Sequence, residues 1–311
     1  MSQVKTILCP TDWSQPSRVA LQAAVNMALH EEAELVLLHV LPPLGMVRGI
    51  ASVAPLEQMI QEEASQKLSA LIAECVPPDV RVKPLIRFGD EADEIHLAAL
   101  KADVVVVSTH GRAGWGRWAF GSVAERVLTG AECPIYVVGP KSARDESNAA
   151  PGDGRGSCFD FPYRQVLWPT DWSEPSERAL DEAIAISRRH GAQLLMLHVI
   201  EAPEASGEGW KHRQRAEVEL QFRELRGRKN VPTDARHFIS RGDAAPEIIR
   251  VGLSEGADLV VMSTHGRTGW QRLTLGSVAQ QVLRHVPCPV FLVPHPLALS
   301  GFGEYWNSKR Q

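Results

Sequence analysis

The chain has 311 residues, 44% of them hydrophobic, which is enough for two domains of roughly 150 residues that each bury a core. Thirty-three basic residues against 37 acidic ones give a formal net charge of −4, so the strong positive field typical of nucleic-acid binding is missing. The sequence shows neither a secretory signal nor an apolar run near the ~20 residues that cross a bilayer. We therefore expect a cytoplasmic protein with no nucleic-acid and no membrane partner.

In the first half of the chain, short apolar runs alternate with longer segments of helical period. The predicted strands are 4–9, 34–40, 82–88, 103–108 and 134–138, and the predicted helices are 16–30, 56–74, 92–100 and 122–130. Runs such as VVVV at 104–107 lack polar alternation, which is typical of strands buried on both faces of a parallel sheet. With right-handed crossovers, this order predicts a doubly wound α/β domain.

The same ordered motifs occur twice in the chain. ILCPTDWSQPSRVAL at 7–21 returns as VLWPTDWSEPSERAL at 166–180, and STHGRAGWGRWAFGS at 108–122 returns as STHGRTGWQRLTLGS at 263–277. Repetition on this scale indicates two copies of one domain.

A segment rich in Ser, Gly, Asp and Arg separates the copies and has no apolar period. We predict a first domain at 1–140, a flexible linker at 141–161, a second domain at 162–295 and a C-terminal tail at 296–311.

Polar motifs follow strands one and four of each copy, where a doubly wound sheet binds its ligands. PTDW follows strand one, and the glycine-rich loop that begins at Ser108 follows strand four. Gly111 and Gly114 allow close approach to the backbone, and Gly121 and Ser122 directly precede a helix whose free N–H groups favour an anion. The loop therefore suits a phosphate group.

A purely structural interpretation of the same residues stays open. Ser122 is followed three residues later by Glu125, and Ser277 by a glutamine, which are capping-box spacings that need no ligand. Asp12 and Asp171 suit a cap or turn before the first helix as well as contact with ribose or magnesium.

In combination these motifs resemble two tandem domains of the universal stress protein family. The resemblance rests on PTD after strand one, LLHV in strand two, GD before helix three, and the THGRxG…GS loop that leads into SVAERVL or SVAQQVL. It covers nearly the whole chain outside the linker and tail. It implies that each domain is a five-stranded parallel sheet of order 3-2-1-4-5 flanked by helices.

The resemblance also implies an adenine nucleotide as cofactor, either ATP alone or ATP with Mg²⁺. The ATP-binding branch carries Gly-x2-Gly-x9-Gly-Ser/Thr, and here Ser108 and Ser263 replace the first glycine. The expected contact residues of the first copy are Pro10, Thr11, Asp12, Val40, Val107, Ser108, His110, Gly111, Arg112, Gly114, Gly121, Ser122 and Val123. Those of the second copy are Pro169, Thr170, Asp171, Val199, Met262, Ser263, His265, Gly266, Arg267, Gly269, Gly276, Ser277 and Val278.

Within this set the resemblance assigns separate roles. Asp12 and Asp171 would contact ribose or metal, and the valines of strand two would line the adenine pocket beside Val107 and Met262. The loop and its terminal serine would take the triphosphate.

The sequence favours a binding and signalling protein over an enzyme. It lacks the phosphate-loop lysine motif, the G-x-S-x-G nucleophile motif, and the H-x-G-H and S-G-G-x-D-S strings of nucleotidyl-transferring enzymes. No catalytic residue is assigned, because His110 and His265 suit a structural role in the loop turn. Two alternatives remain, a slow ATPase and a nucleotide-free interaction module that dimerises, and Ser108 and Ser263 favour the second.

Strand five of each copy, PIYVV or PVFLV, carries no charge and lies at a predicted sheet edge. Because exposed apolar edges pair with other strands, we predict that the two fifth strands pair within the chain as a pseudo-dimer. A homodimer of two chains stays open.

Overall fold

The computed structural model describes residues 4–43, 54–109, 120–139, 161–201, 208–266 and 275–294. These residues form two compact units, with the division between Val138 and Gly139. None of the described helices is both long and apolar enough to cross a membrane.

The first unit alternates strands and helices in the predicted order. Its elements are β1 Thr6–Pro10, α1 Gln15–Glu31, β2 Glu34–Leu41, α2 Ala54–Cys75, β3 Val82–Phe88, α3 Glu91–Ala99, β4 Val104–Ser108, α4 Ser122–Gly130 and β5 Ile135–Val138. The strands lie in the order β3-β2-β1-β4-β5, and each neighbouring pair is parallel. The doubly wound fold and the 3-2-1-4-5 order are therefore confirmed.

The second unit repeats this arrangement. Its elements are β6 Gln165–Thr170, α5 Glu174–His190, β7 Gln193–Ile200, α6 Glu208–Arg228, β8 Arg236–Arg241, α7 Ala244–Glu255, β9 Leu259–Ser263, α8 Ser277–His285 and β10 Val290–Val293. The parallel order within this unit is β8-β7-β6-β9-β10, which matches the first unit strand for strand.

The side chains of the central strands are buried because helices cover both faces of each sheet. Val104, Val105 and Val106 of β4 are fully buried at 0% exposure, as the unbroken apolar run predicts. In the second unit Trp168 of β6 is also fully buried, and its indole Nε1 donates to the Ser176 carbonyl at 2.9 Å. The buried indole thus keeps a hydrogen-bond partner.

One carboxylate in each unit joins the amino-terminal ends of the two central strands. Asp103, just before β4, accepts from the backbone N–H groups of Lys5 and Thr6 at 2.8 and 2.9 Å. Asp258 accepts from two consecutive amides at the start of β6 in the same way, at 2.7 and 2.9 Å. These bonds hold strands one and four side by side, which is the adjacency that creates the crevice at the opposite ends.

The predicted linker and tail lie outside the described residues apart from Phe161. The predicted domain boundaries accordingly stay predictions.

Candidate functional site

A cleft of about 270 Å³ opens at the carboxyl ends of β1 and β4 in the first unit. The strand order reverses between these two strands, so the cleft lies at the switch point where open α/β sheets bind ligands. Its lining residues are Pro10, Thr11, Asp12, Ser17, Leu38, His39, Val40, Glu91, Ile95, Val107, Ser108, Gly121, Ser122, Val123, Ala124 and Val127.

Asp12 forms the turn that leaves β1. Its Oδ1 accepts from the backbone N–H of Ser14 at 3.0 Å and from the Ser14 hydroxyl at 2.5 Å. Ser14 is itself the N-cap of α1, because its hydroxyl oxygen accepts from the Ser17 N–H at 3.3 Å. The turn interpretation of Asp12 is confirmed, and the same residue also lines the cleft.

The second unit reproduces this turn bond for bond. Asp171 Oδ1 accepts from the Ser173 N–H at 3.0 Å and from its hydroxyl at 2.6 Å. Ser173 then caps α5 by accepting from the Ser176 N–H at 3.3 Å. The two turns have the same bonding partners and nearly the same distances, so the same local structure occurs before α1 and before α5.

A tryptophan in an unusual backbone conformation follows each of these aspartates. Trp13 and Trp172 have φ angles of 68° and 64°, which bulky side chains rarely adopt. Their rings pack on the histidines of strand two, with centroid separations of 4.4 Å to His39 and 5.1 Å to His198. The conformation is thus accompanied by ring packing at the cleft wall.

His39, which the sequence analysis did not select, lines the cleft beside Asp12. Its Nδ1 lies 2.8 Å from the Thr11 carbonyl oxygen, and His198 has the same bond to Thr170 at 2.8 Å. Because a carbonyl only accepts, Nδ1 is the donor in each of these bonds. The shared LHV string of strand two was the available signal, since it recurs with the turn that it binds.

A glycine begins the helix on the other side of the cleft. Gly121 is the N-cap of α4 and Ser122 is its first residue, and Gly276 and Ser277 have the same positions in α8. Neither cap makes a side-chain hydrogen bond, so the capping-box interpretation of these serines is wrong. The first N–H groups of α4 therefore have no side-chain cap among the described residues, and they lie at the cleft wall formed by Ser122 and Val123.

In the second unit, the motifs that follow strands one and four meet directly. A Cβ atom on Gly266 would lie 2.7 Å from Asp171 Oδ2, which is too close for any residue but glycine without a shift. Next to it, the Ser263 hydroxyl donates to the His265 carbonyl at 2.6 Å, and Thr264 Oγ1 lies 2.9 Å from His265 Nδ1. The predicted convergence of the two motifs on one crevice is confirmed here.

The first cleft brings together nine of the residues selected from the sequence. They are Pro10, Thr11, Asp12, Val40, Val107, Ser108, Gly121, Ser122 and Val123. Eleven of the residues selected in the second copy are described, and they lie at or just beyond the matching ends of β6, β7, β9 and α8: Pro169, Thr170, Asp171, Val199, Met262, Ser263, His265, Gly266, Gly276, Ser277 and Val278. The remaining loop residues, His110, Gly111, Arg112, Gly114, Arg267 and Gly269, lie outside the described residues.

The cleft combines two kinds of surface. Leu38, Val40, Ile95, Val107 and Val127 give the cleft apolar lining, and Asp12 and the N-terminus of α4 give it a carboxylate and backbone N–H groups. Such a site has room for a flat apolar group at one end and an anion at the other.

Comparison with known proteins agrees with this architecture. A model of the universal stress protein family matches residues 3–139 and 162–294. A universal stress protein of Mycolicibacterium smegmatis is 27% identical over 297 residues, which cover 92% of this chain and 96% of that protein. One from Methanocaldococcus jannaschii is 31% identical over 142 residues, covering 43% of this chain and 84% of that protein.

The crystal structure of a universal stress protein from Archaeoglobus fulgidus has the same fold. It aligns with a TM-score of 0.68 at 22% identity, over 94% of this chain and 99% of that chain. With matched segments in both units, the chain belongs to the universal stress protein family and contains two of its domains in tandem.

Proposed function

We propose that each unit of this stress-response protein binds an adenine nucleotide, with ATP as the expected ligand, and that the protein acts by binding rather than by catalysis. The observation that carries the proposal is the glycine-capped N-terminus of α4 in the lining of a cleft that also has several apolar side chains.

The helix terminus supports the phosphate end of this assignment. First-turn N–H groups without a side-chain cap need an acceptor, and a phosphate supplies several oxygens. The helix dipole adds only about 0.3–1 kcal/mol per charge at an exposed site, so the Ser122 hydroxyl and the arginine of the preceding loop would have to contribute as well.

The remaining walls suit the nucleoside. Val40, Val107 and Leu38 offer an apolar slot for a flat base, and Asp12 offers a carboxylate to a ribose hydroxyl. The Asp12 carboxylate also suits Mg²⁺, which would reduce the charge of the bound phosphates. The second unit has matched residues at each of these positions except Met262, which replaces Val107 and is likewise apolar and 8% exposed.

One observation favours a nucleotide-free interaction module instead. Ser263 occupies the position of the first motif glycine, and its hydroxyl bond to the His265 carbonyl holds the start of the loop without any ligand. A slow ATPase has weaker support, because the sequence lacks the phosphate-loop lysine motif and the G-x-S-x-G nucleophile motif.

The test begins with the purified protein. We would denature it, identify any released nucleotide by chromatography and count it per chain, then titrate nucleotide-free protein with ATP and Mg²⁺ by calorimetry. One or two equivalents of adenine nucleotide support the proposal. No released nucleotide and no heat of binding would refute it and favour the interaction module.

Matched variants locate the binding. Ser122 and Ser277 are exposed first residues of equivalent helices, so a tryptophan at either position fills one cleft and leaves the core untouched. We expect Ser122→Trp and Ser277→Trp each to remove one equivalent and together to remove all binding. Ser69→Trp, on an exposed face of α2, is the control and keeps full stoichiometry.

We also propose, from the apolar sequences of the fifth strands, that the two domains pair through them. Crosslinks between the PIYVV and PVFLV segments support this, and their absence from an efficiently crosslinked sample argues against it.

A further inference from the structure

The two units differ where their third helix begins. Glu91 is the first residue of α3 and lines the cleft together with Gly121 and Ser122 of α4. The GD motif aligns Gly89 with Gly242, so the counterpart of Glu91 is Ala244, the first residue of α7. One cleft therefore has a carboxylate at a position where the other unit has a methyl group.

The neighbouring turns enlarge this difference. The first turn of α3 carries Glu91, Asp93 and Glu94, and that of α4 carries Glu125. In the second unit the first turn of α7 has one acidic residue, Glu247, and that of α8 has none. These first turns thus carry four acidic residues in the first unit and one in the second, and Glu91 is the one of the four that lines the cleft.

Nearby cations do not cancel the charge of Glu91. Arg126 of α4 binds Asp90 and Asp93 at 2.8 and 2.9 Å, and its charge is matched by these two carboxylates. Within the described part of the chain, no basic side chain pairs with Glu91 itself.

The glycine-rich loops do not restore the balance either. Each loop carries two arginines at matching positions, Arg112 and Arg117 in the first copy and Arg267 and Arg272 in the second. Because the loops contribute equal formal charge, the imbalance between the units comes from the helix ends.

A carboxylate at the phosphate end acts most strongly on the most highly charged ligand. Free ATP carries roughly twice the negative charge of its magnesium complex or of AMP, so like-charge repulsion disfavours free ATP more than either. The same repulsion is weakened by salt, because the groups are exposed.

We infer that Glu91 makes the first cleft select its nucleotide by net charge, so that it takes ATP as the magnesium complex whereas the second cleft also accepts free ATP. The inference rests on the proposed nucleotide-binding function. It makes Glu91 a specificity-determining residue and the two domains functionally unequal.

The experiment measures each cleft alone. Ser277→Trp leaves the first cleft open and Ser122→Trp leaves the second, and in each background calorimetry gives the Kd for ATP with excess Mg²⁺ and with a chelator. The quantity compared is the Kd for ATP with the chelator divided by the Kd for ATP with excess Mg²⁺. For the first cleft we expect a ratio roughly three- to tenfold above that of the second at low ionic strength, with the gap narrowing at high salt.

Reciprocal substitutions then assign the effect. Glu91→Ala should lower the ratio of the first cleft to that of the second, and Ala244→Glu should raise the ratio of the second cleft. Glu91→Gln keeps the size of the side chain and removes its charge, so it should behave like Glu91→Ala.

Three results would overturn the inference. Equal ratios in the two clefts would do so, and so would an unchanged ratio in Glu91→Ala and Glu91→Gln variants that still bind MgATP; both leave the proposed function intact. An absence of binding in every background, with either form of ATP, would remove the inference together with the proposed function.

Discussion

Replacing Gly266 by alanine tests the contact that brings the two motifs of the second unit together. A Cβ at this position would lie 2.7 Å from Asp171 Oδ2, so the Asp171 side chain must move. Oδ1 of that carboxylate accepts two hydrogen bonds from Ser173, at 3.0 and 2.6 Å, and a shift weakens both. At about 0.5–1.5 kcal/mol for each bond, the expected loss of stability is about 1–3 kcal/mol.

The assay is thermal and urea unfolding of the full chain. For a unit of this size, about 1–3 kcal/mol corresponds to a lower Tm by roughly 2–4 °C per kcal/mol. We also expect nucleotide binding to become weaker at the second cleft and to stay unchanged at the first. Gly227→Ala is the matched control, because nothing lies within 4 Å of its Cβ position. It lies in helix α6, where alanine should stabilise the protein by about 0.5–1 kcal/mol.

A double-mutant cycle decides whether the clash is the cause. In an Asp171→Ala background the carboxylate is gone, so Gly266→Ala should cost less than about 0.5 kcal/mol, the usual margin of additivity. If Gly266→Ala costs the same in both backgrounds, the strain lies elsewhere and the contact between the motifs does not explain the glycine.

Three further outcomes follow from the described bonds. Asp103→Ala removes the acceptor of the Lys5 and Thr6 amides, and chemical unfolding should show a loss of about 1–3 kcal/mol, whereas an unchanged midpoint would mean that water replaces the carboxylate without cost. Ser14→Ala removes the N-cap of α1 and should lower the free energy of unfolding by about 1 kcal/mol, with Ser14→Thr as the control that keeps most of it. Burial lowers the pKa of His96, so its contribution to stability should be complete above about pH 6.5 and should be lost as the pH drops through the lowered value. Urea midpoints measured across this range should therefore fall less in His96→Leu than in the unmodified protein. An identical decline in both proteins would exclude His96 as its source.

The order and type of the elements could be predicted from the sequence because each is set by local pattern. The predicted helix at 16–30 is observed as Gln15–Glu31, and the predicted strand at 82–88 as Val82–Phe88. Repetition added a second, independent copy of the same pattern.

The sequence pattern could not predict which residue is the N-cap of α4. S-x-x-E places a capping serine at position 122, but the backbone makes Gly121 the N-cap, with φ of −59° and ψ of 144°. A shift of one residue changes a capping hydroxyl into the first residue of a helix. Local spacing cannot distinguish the two, because both place the glutamate in the first turn.

Long-range placements were also out of reach. Asp103 meets residues about a hundred positions earlier in the chain, and Glu91 reaches the cleft only because α3 and α4 pack together. His39 lies in an apolar strand, where its residue type alone suggests nothing about the cleft. Each of these depends on side-chain contacts between elements that are distant in the chain, and local residue patterns do not encode such contacts.

Asp103 and Asp258 stabilise the sheet of each unit at the end that lies away from the crevice. They fasten the central strands at the edge of the sheet opposite the crevice, so the turns at the crevice are not needed to keep those strands together. Substitutions in the turns of one unit should therefore leave its own sheet folded and the other unit unchanged. The ligand-facing ends of the two units can therefore change independently of each other, and Glu91 and Ala244 mark one position where they differ.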